Sequence, residues 1–181
     1  MPALFYKSFW ETIGEDITRE VRSFLSGGPM PESWNDTVVV LIPKIQNPER
    51  LKDLRPISLC SVVYKIASKV LSNRLKVILP EIISQNQSAF VFGRLITDNV
   101  LIAYEMNHFM QNKRSGEDGY AALKLDMSKA YDRVGWPFME KIMRRLGFHE
   151  RWTSLIMKCI TTVTYRIRVN GGLTELIVPT V

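Results

Sequence analysis

Proline and glycine cut this 181-residue chain into short pieces, and the punctuation limits its fold more than its composition does. The breaks fall at Gly27-Gly28-Pro29, Pro43, Asn47-Pro48, Pro56 and Ser115-Gly116-Glu117-Asp118-Gly119. Between them two periodicities alternate. Phe9, Ile13, Ile17, Val21 and Phe24 share helical spacing, which predicts a packing helix over 9–25. Val63, Ile66, Val70, Leu75 and Ile78 predict an amphipathic helix over 61–79, with Lys65, Lys69, Ser72 and Lys76 on its other face. A lysine stripe is usually a wet helix face, although it could also track phosphates.

Thr37 to Ile42 is β-branched and stops at Pro43, while Pro56 forces 55–58 to be extended, so two short strands joined by a basic loop are predicted. A helix follows over 97–112, with Thr97 or Asp98 as N-cap. Residues 120–125 alternate weakly as a strand that delivers Asp126 at its C-terminal end. Pro137 and Gly147 bracket a helix over 138–146, and another is predicted over 151–162. Thr164 to Val169, Asn170-Gly171 and Leu173 to Val178 read as a hairpin with a type I′ turn. The expected class is α+β, helix-rich with short antiparallel strands.

Hydrophobic residues make up 46% and charged residues 23%, so the chain can bury a core. Net charge is +6 with a pI near 9.4, which favours a polyanionic partner. Residues 36–80 and 136–181 are net basic and flank a net acidic stretch at 116–135. That order suits a channel holding a phosphate backbone around carboxylates, although solvated helix faces give the same sums. Cys60 and Cys159 lie far apart without CxxC spacing, against a disulfide framework or zinc site. His108 and His149 lack metal-ligand spacing, and the four tryptophans read as core anchors. With no signal-like start and no long apolar run, the chain is expected to be soluble and intracellular, in nucleus or cytoplasm.

The sharpest chemical signal is Lys124-Leu125-Asp126-Met127-Ser128-Lys129-Ala130-Tyr131-Asp132. A carboxylate at a strand end needs solvent or a cation. Asp126 therefore either caps the next turn or offers a hard oxygen to Mg²⁺. An aromatic at the position of Tyr131 is, taken alone, usually core.

LIPK at 41–44, LRPISL at 54–59, QSAFVFGRLITDNVL at 87–101 and LKLDMSKAYDRVGW at 123–136 occur in this order. Together they resemble the reverse transcriptase domain of non-LTR retrotransposons, most closely the long interspersed elements abundant in plant genomes. The similarity runs from about Trp34 to the last residue. It implies a right-hand polymerase: an N-terminal helical segment over 1–35, fingers over 36–118, and a partial palm over 119–181. By the resemblance, Asp126 matches the first catalytic aspartate and the Met127 carbonyl a backbone ligand, together holding two Mg²⁺ ions. Tyr131 matches the steric gate against a 2′-hydroxyl. Lys44 and Arg55 match finger residues that approach the triphosphate. Gln87, Gly93 and Arg94 match the template-supporting block, in which the family commonly has glycine where this chain has Ala89.

Asp98 is expected to cap a helix, and Asp132 to pair locally with Lys129 or Arg133. The implied partners are an RNA template, a DNA primer and deoxynucleoside triphosphates, with no membrane. Resembling proteins continue into a QGxPLSP block and a YxDD hairpin, which this sequence does not contain. The polypeptide alone is therefore expected to show no RNA-templated DNA synthesis. The rival expectations are a non-catalytic RNA-binding module from such an element and, lower, a helical DNA-binding protein.

Overall fold

The spacing of Ile17, Val21 and Phe24 becomes the buried stripe of helix α2 (Trp10–Leu25) in the computed structural model, which describes residues 2–127 and 130–180 except the Asp132 side chain. A short helix α1 (Ala3–Ser8) precedes it, separated by Phe9. The chain divides into two units, Met1–Leu71 with Gly135–Val181, and Ser72–Val134.

The first unit holds a four-stranded sheet in the order β2-β1-β3-β4. Strands β1 (Asp36–Pro43) and β2 (Leu54–Leu59) pair antiparallel, from Val38 opposite Leu59 to Pro43 opposite Leu54. Pro56 has no N–H to donate and lies on the edge strand, where that loss is tolerated. Strand β3 (Thr164–Val169) runs parallel to β1, from Asp36 opposite Thr164 to Val40 opposite Arg168. The sheet is therefore mixed, which corrects the expectation of antiparallel strands alone. Several helices separate β1 from β3, and a long crossover permits parallel entry where a tight turn cannot. Asn170 and Gly171 both take positive φ, 48° and 83°, as a type I′ turn requires. The expected hairpin forms, but β4 is only Gly172–Leu173, followed by a bridge from Tyr165 to Ile177.

Helices α3 (Val62–Ile82), α5 (Trp136–Arg145) and α6 (Glu150–Thr161) realise the remaining periodic segments of this unit, and the turns of α3 from Ser72 onward belong to the other. The core gathers Ile17, Val21, Phe24, Trp34, Ala67, Leu71, Leu155 and Cys159. Trp152 packs against it, whereas Trp10 is exposed on α2 with its ring over Gly14. Buried polar groups fix how the elements meet. Asn35 Nδ2 donates to the Cys159 carbonyl at 2.8 Å and to Thr162 Oγ1 at 3.0 Å, while Tyr64 Oη donates to the same carbonyl at 3.1 Å. The start of β1 and the first turn of α3 are thereby tied to the end of α6. His149 caps the start of α6, its Nδ1 accepting from the Arg151 N–H at 3.2 Å.

Burial pushes the Tyr64 phenol up from 10.0 to about 12, with the neighbouring Cys159 and Cys60 thiols adding to it, and pushes the Cys159 thiol up from 9.0 to about 11. Both groups hold their protons more tightly folded than unfolded, so their contribution to stability is complete below pH 9 and declines as pH rises through 9 to 12. Thermal melts across that window should show Tm falling, with a smaller fall above pH 10 for Tyr64→Phe. Identical slopes for the two proteins would contradict this account.

The second unit comprises the later turns of α3, helix α4 (Ile96–Asn112) and the segment up to Val134. No residue of α4 is buried. The helix begins one residue earlier than expected, with Leu95 at the cap position and no side-chain cap bond. Asp98 is therefore not the N-cap but lies in the first turn, where its charge favours the helix dipole. The predicted strand over 120–125 is irregular chain, with Leu123 and Leu125 exposed. Its alternation is real, but among the described residues no strand lies beside it, and an extended segment with no ladder partner is not a strand. Its start is held by Tyr120, edge-on to Phe109 at 5.6 Å and under the Lys113 ammonium at 4.2 Å.

Candidate active site

The candidate residues fall on both units. On the first, the antiparallel register of β1 and β2 sets Arg55 opposite Ile42 and brings Lys44 to the loop end of the same hairpin. The Lys44 backbone N–H donates to the Asp53 carbonyl at 2.8 Å, and its ammonium donates to the Lys52 carbonyl at 2.7 Å. Asp53 in turn accepts from the backbone N–H of Arg50 at 3.0 Å, closing the 3-10 turn at 51–53. The loop therefore has a defined shape, with both basic side chains at one end of the hairpin. Arg55 is exposed and has no carboxylate within ion-pair distance among the described residues.

On the second unit the segment from Ser84 to Asn99 is a knot of tight turns. The backbone N–H groups of Gln87, Val91 and Arg94 donate to the carbonyls of Ser84, Ser88 and Val91. Buried Ser88 donates from Oγ to Asn99 Oδ1 at 2.8 Å, pinning the turns to α4. The Arg94 guanidinium closes the knot. Its Nη1 donates to the carbonyls of Ser84 (2.5 Å) and Gln87 (2.7 Å), and its Nη2 to those of Pro80 (3.1 Å) and Ile83 (3.2 Å). These carbonyls lie at and just beyond the C-terminal end of α3, where acceptors lack helical partners and a cation is favoured. A phosphate contact by Arg94 competes with these four bonds. Gly93 has φ 79° with open space where a Cβ would stand, so its backbone conformation, not crowding, demands glycine. Gln87 is exposed, with its side-chain amide 3.5 Å from the Ala89 carbonyl. Ala89 is not the left-handed residue of the block; Phe90 is, with φ 64°.

Asp126 and Met127 are exposed on the same unit, and Tyr131 is exposed at the head of a short 3-10 turn, Tyr131–Arg133. Tyr131 is therefore not a core aromatic in this structure. The expected pairing of Asp132 with Lys129 or Arg133 lies outside the described residues. Lys65, Lys69 and Lys76 are exposed, as a wet helix face requires. No helix is long and apolar enough to cross a membrane among the described residues.

An exposed aspartate followed by an exposed tyrosine, and a basic hairpin, lie in blocks whose order is that of a reverse transcriptase domain. Residues 42–179 match the reverse transcriptase (RNA-dependent DNA polymerase) family, and the chain belongs to it. It is 34% identical over 170 residues to the Transposon TX1 uncharacterized 149 kDa protein of Xenopus laevis, covering 94% of this chain and 13% of that protein. It is also 28% identical over 159 residues to the Retrovirus-related Pol polyprotein from type-1 retrotransposable element R2 of Popillia japonica, covering 86% of this chain and 22% of that one. The chain thus carries a reverse transcriptase segment of the non-LTR retrotransposon kind and spans less than a quarter of either relative's length.

Enzymes of this family generally use divalent metal ions. The Asp126 carboxylate is the hard donor that such ions take. Among the described residues, however, no three His, Cys, Asp or Glu side chains come together. One carboxylate does not make a metal centre, so among the described residues the donor type fits the ion and the donor number does not.

Proposed function

We propose that the chain supplies the fingers, over 36–118, and the opening of the palm, over 119–181, of an RNA-directed DNA polymerase, led by a helical segment over 1–35. In this reading Asp126 and the Met127 carbonyl are ligands of the catalytic Mg²⁺ ions, and Tyr131 rejects a 2′-hydroxyl by filling its volume. Lys44 and Arg55 meet the triphosphate of the incoming deoxynucleotide, a point charge and a donor fork suited to phosphate oxygens. Gln87, Gly93 and Arg94 support the RNA template that pairs with a DNA primer. The observation that carries the reading is Asp126, exposed to solvent and five residues ahead of an exposed tyrosine, within the stretch that matches the family.

Two measurements test it. The chain should bind single-stranded RNA with an affinity that falls steeply as salt rises, because phosphate contacts release counterions. With RNA template, primer, Mg²⁺ and deoxynucleotides it should give no detectable extension, since stabilising both the attacking and leaving oxygens takes clustered carboxylates. Extension that disappears in Asp126→Ala would overturn the second expectation, and salt-independent or absent RNA binding the first.

A further inference from the structure

Beyond the end of α4 the chain turns toward the Asp126 segment through residues 113–120, and this loop is folded around one side chain. The Lys113 ammonium donates to the Asp118 carbonyl at 2.5 Å and lies 4.2 Å from the centre of the Tyr120 ring. On the way it passes Gly116, its Cε 3.6 Å from the place a Cβ would take. Gly116 has φ 101°, a bend that glycine allows. The bend leaves Ser115, Glu117 and Asp118 exposed, and among the described residues neither acid has an ion-pair partner.

Backbone state singles out this serine. The hydroxyls with an acid three residues on are Ser8, Thr12, Ser33 and Ser115. Ser8 and Thr12 lie in α1 and α2, and Ser33 in a 3-10 turn over Glu32–Trp34, so drawing any of them out as extended chain breaks backbone bonds. Ser115 already lies in irregular chain, and no backbone hydrogen bond holds residues 114–119 among the described residues. It alone of these hydroxyls has a second acid, two residues on. Lys113 and Arg114 precede it, but Lys113 is turned back onto the loop, which sets two carboxylates against the one guanidinium of Arg114. A basic cleft that reads acids after the acceptor fits this presentation.

We infer that Ser115 is a phosphorylation site for an acidophilic protein kinase, and that its phosphate draws the Lys113 ammonium away from Tyr120 and the Asp118 carbonyl. Ser115 Oγ bonds to the γ-phosphorus of a nucleoside triphosphate held by the kinase as the bond from that phosphorus to the bridging oxygen breaks. The nucleoside diphosphate leaves, and the hydroxyl proton passes to the kinase's own base. The product places close to two negative charges two residues from Lys113. A charge-assisted bond to a phosphate oxygen outcompetes one to a carbonyl or a ring face. Tyr120 opens the segment that leads to Asp126, so the modification loosens the start of that segment.

The test incubates the full 181-residue chain with a purified acidophilic kinase, ATP and Mg²⁺, and maps phosphate by mass spectrometry. Phosphate is expected on Ser115 and lost there in Ser115→Ala. Glu117→Gln combined with Asp118→Asn should slow its addition about tenfold. These side chains are exposed, so Tm should not move. By NMR the Lys113 Hε protons, over the Tyr120 ring, should resonate upfield in the unmodified chain and move downfield on phosphorylation, while Ser115→Ala treated in the same way keeps the upfield position. A chain that takes no phosphate at Ser115, or takes it as fast in the double variant, would overturn the site. Lys113 resonances unmoved by the phosphate would overturn the switch. Neither measurement involves RNA or primer extension, so failure here leaves the polymerase reading standing.

Discussion

Phe24→Ala is expected to lower the unfolding free energy by about 3–5 kcal/mol. Phe24 is fully buried on the inner stripe of α2 and meets Trp34 edge-on, centroids 5.9 Å apart. Truncation removes the buried ring, its offset aromatic contact and the filled volume at once. The neighbours cannot collapse freely, because Trp34 adjoins Asn35, whose amide is anchored to the end of α6. Chemical denaturation followed by tryptophan fluorescence measures the loss, and the midpoint should fall without a change in slope. The more conservative Phe24→Leu should lose much less. A loss below about 1 kcal/mol for the alanine variant would mean that this cluster is not the core of the first unit.

What could be read from the sequence was whatever is local. The spacing of Ile17, Val21 and Phe24 specifies the buried face of α2 because helical neighbours lie three and four residues apart. Asn170-Gly171 specifies its turn because both residues tolerate positive φ. Pro56 marks an extended segment within a residue or two of where β2 lies. The parallel pairing of β1 with β3 was not legible, since it joins segments whose patterns carry no record of each other. The failed strand at 120–125 is the same lesson reversed. Its alternation is a local fact, but a strand is made by a neighbour, and none lies beside it among the described residues.

The candidate site divides in the same way. Asp126 could be marked by residue type and place, Tyr131, Lys44 and Arg55 only through the resemblance to the family, and all four are exposed in the structure. The role of Arg94 could not, because its partners are four backbone carbonyls and any sequence supplies carbonyls. A basic residue soon after a helix containing Pro80 near its end was the available hint. Phe90 and Phe92 are exposed on either side of buried Val91, a distinction that apolar residue type does not carry. Only the turn geometry reveals that Val91 alone is taken inward. The family commonly has glycine where this chain has Ala89, yet the left-handed residue is the next one along, Phe90.

Asp126→Asn should cost at least about a hundredfold in primer extension when residues 42–179 replace the matching stretch of an active relative's polymerase. Asparagine keeps the shape and one oxygen of aspartate but removes the negative charge, so the change isolates what the carboxylate does. Because the side chain is exposed, stability should move by no more than about 0.5 kcal/mol, and Tm serves as the control that separates chemistry from folding. Tyr131→Ala in the same chimera should behave differently, preserving extension with deoxynucleotides while admitting ribonucleotides, since a gate acts on shape and a ligand on charge. Steady-state incorporation of each nucleotide class, with circular dichroism on every variant, resolves the two roles. An Asp126→Asn chimera that extends primers at the parent rate would leave the exposed carboxylate as no more than a turn residue.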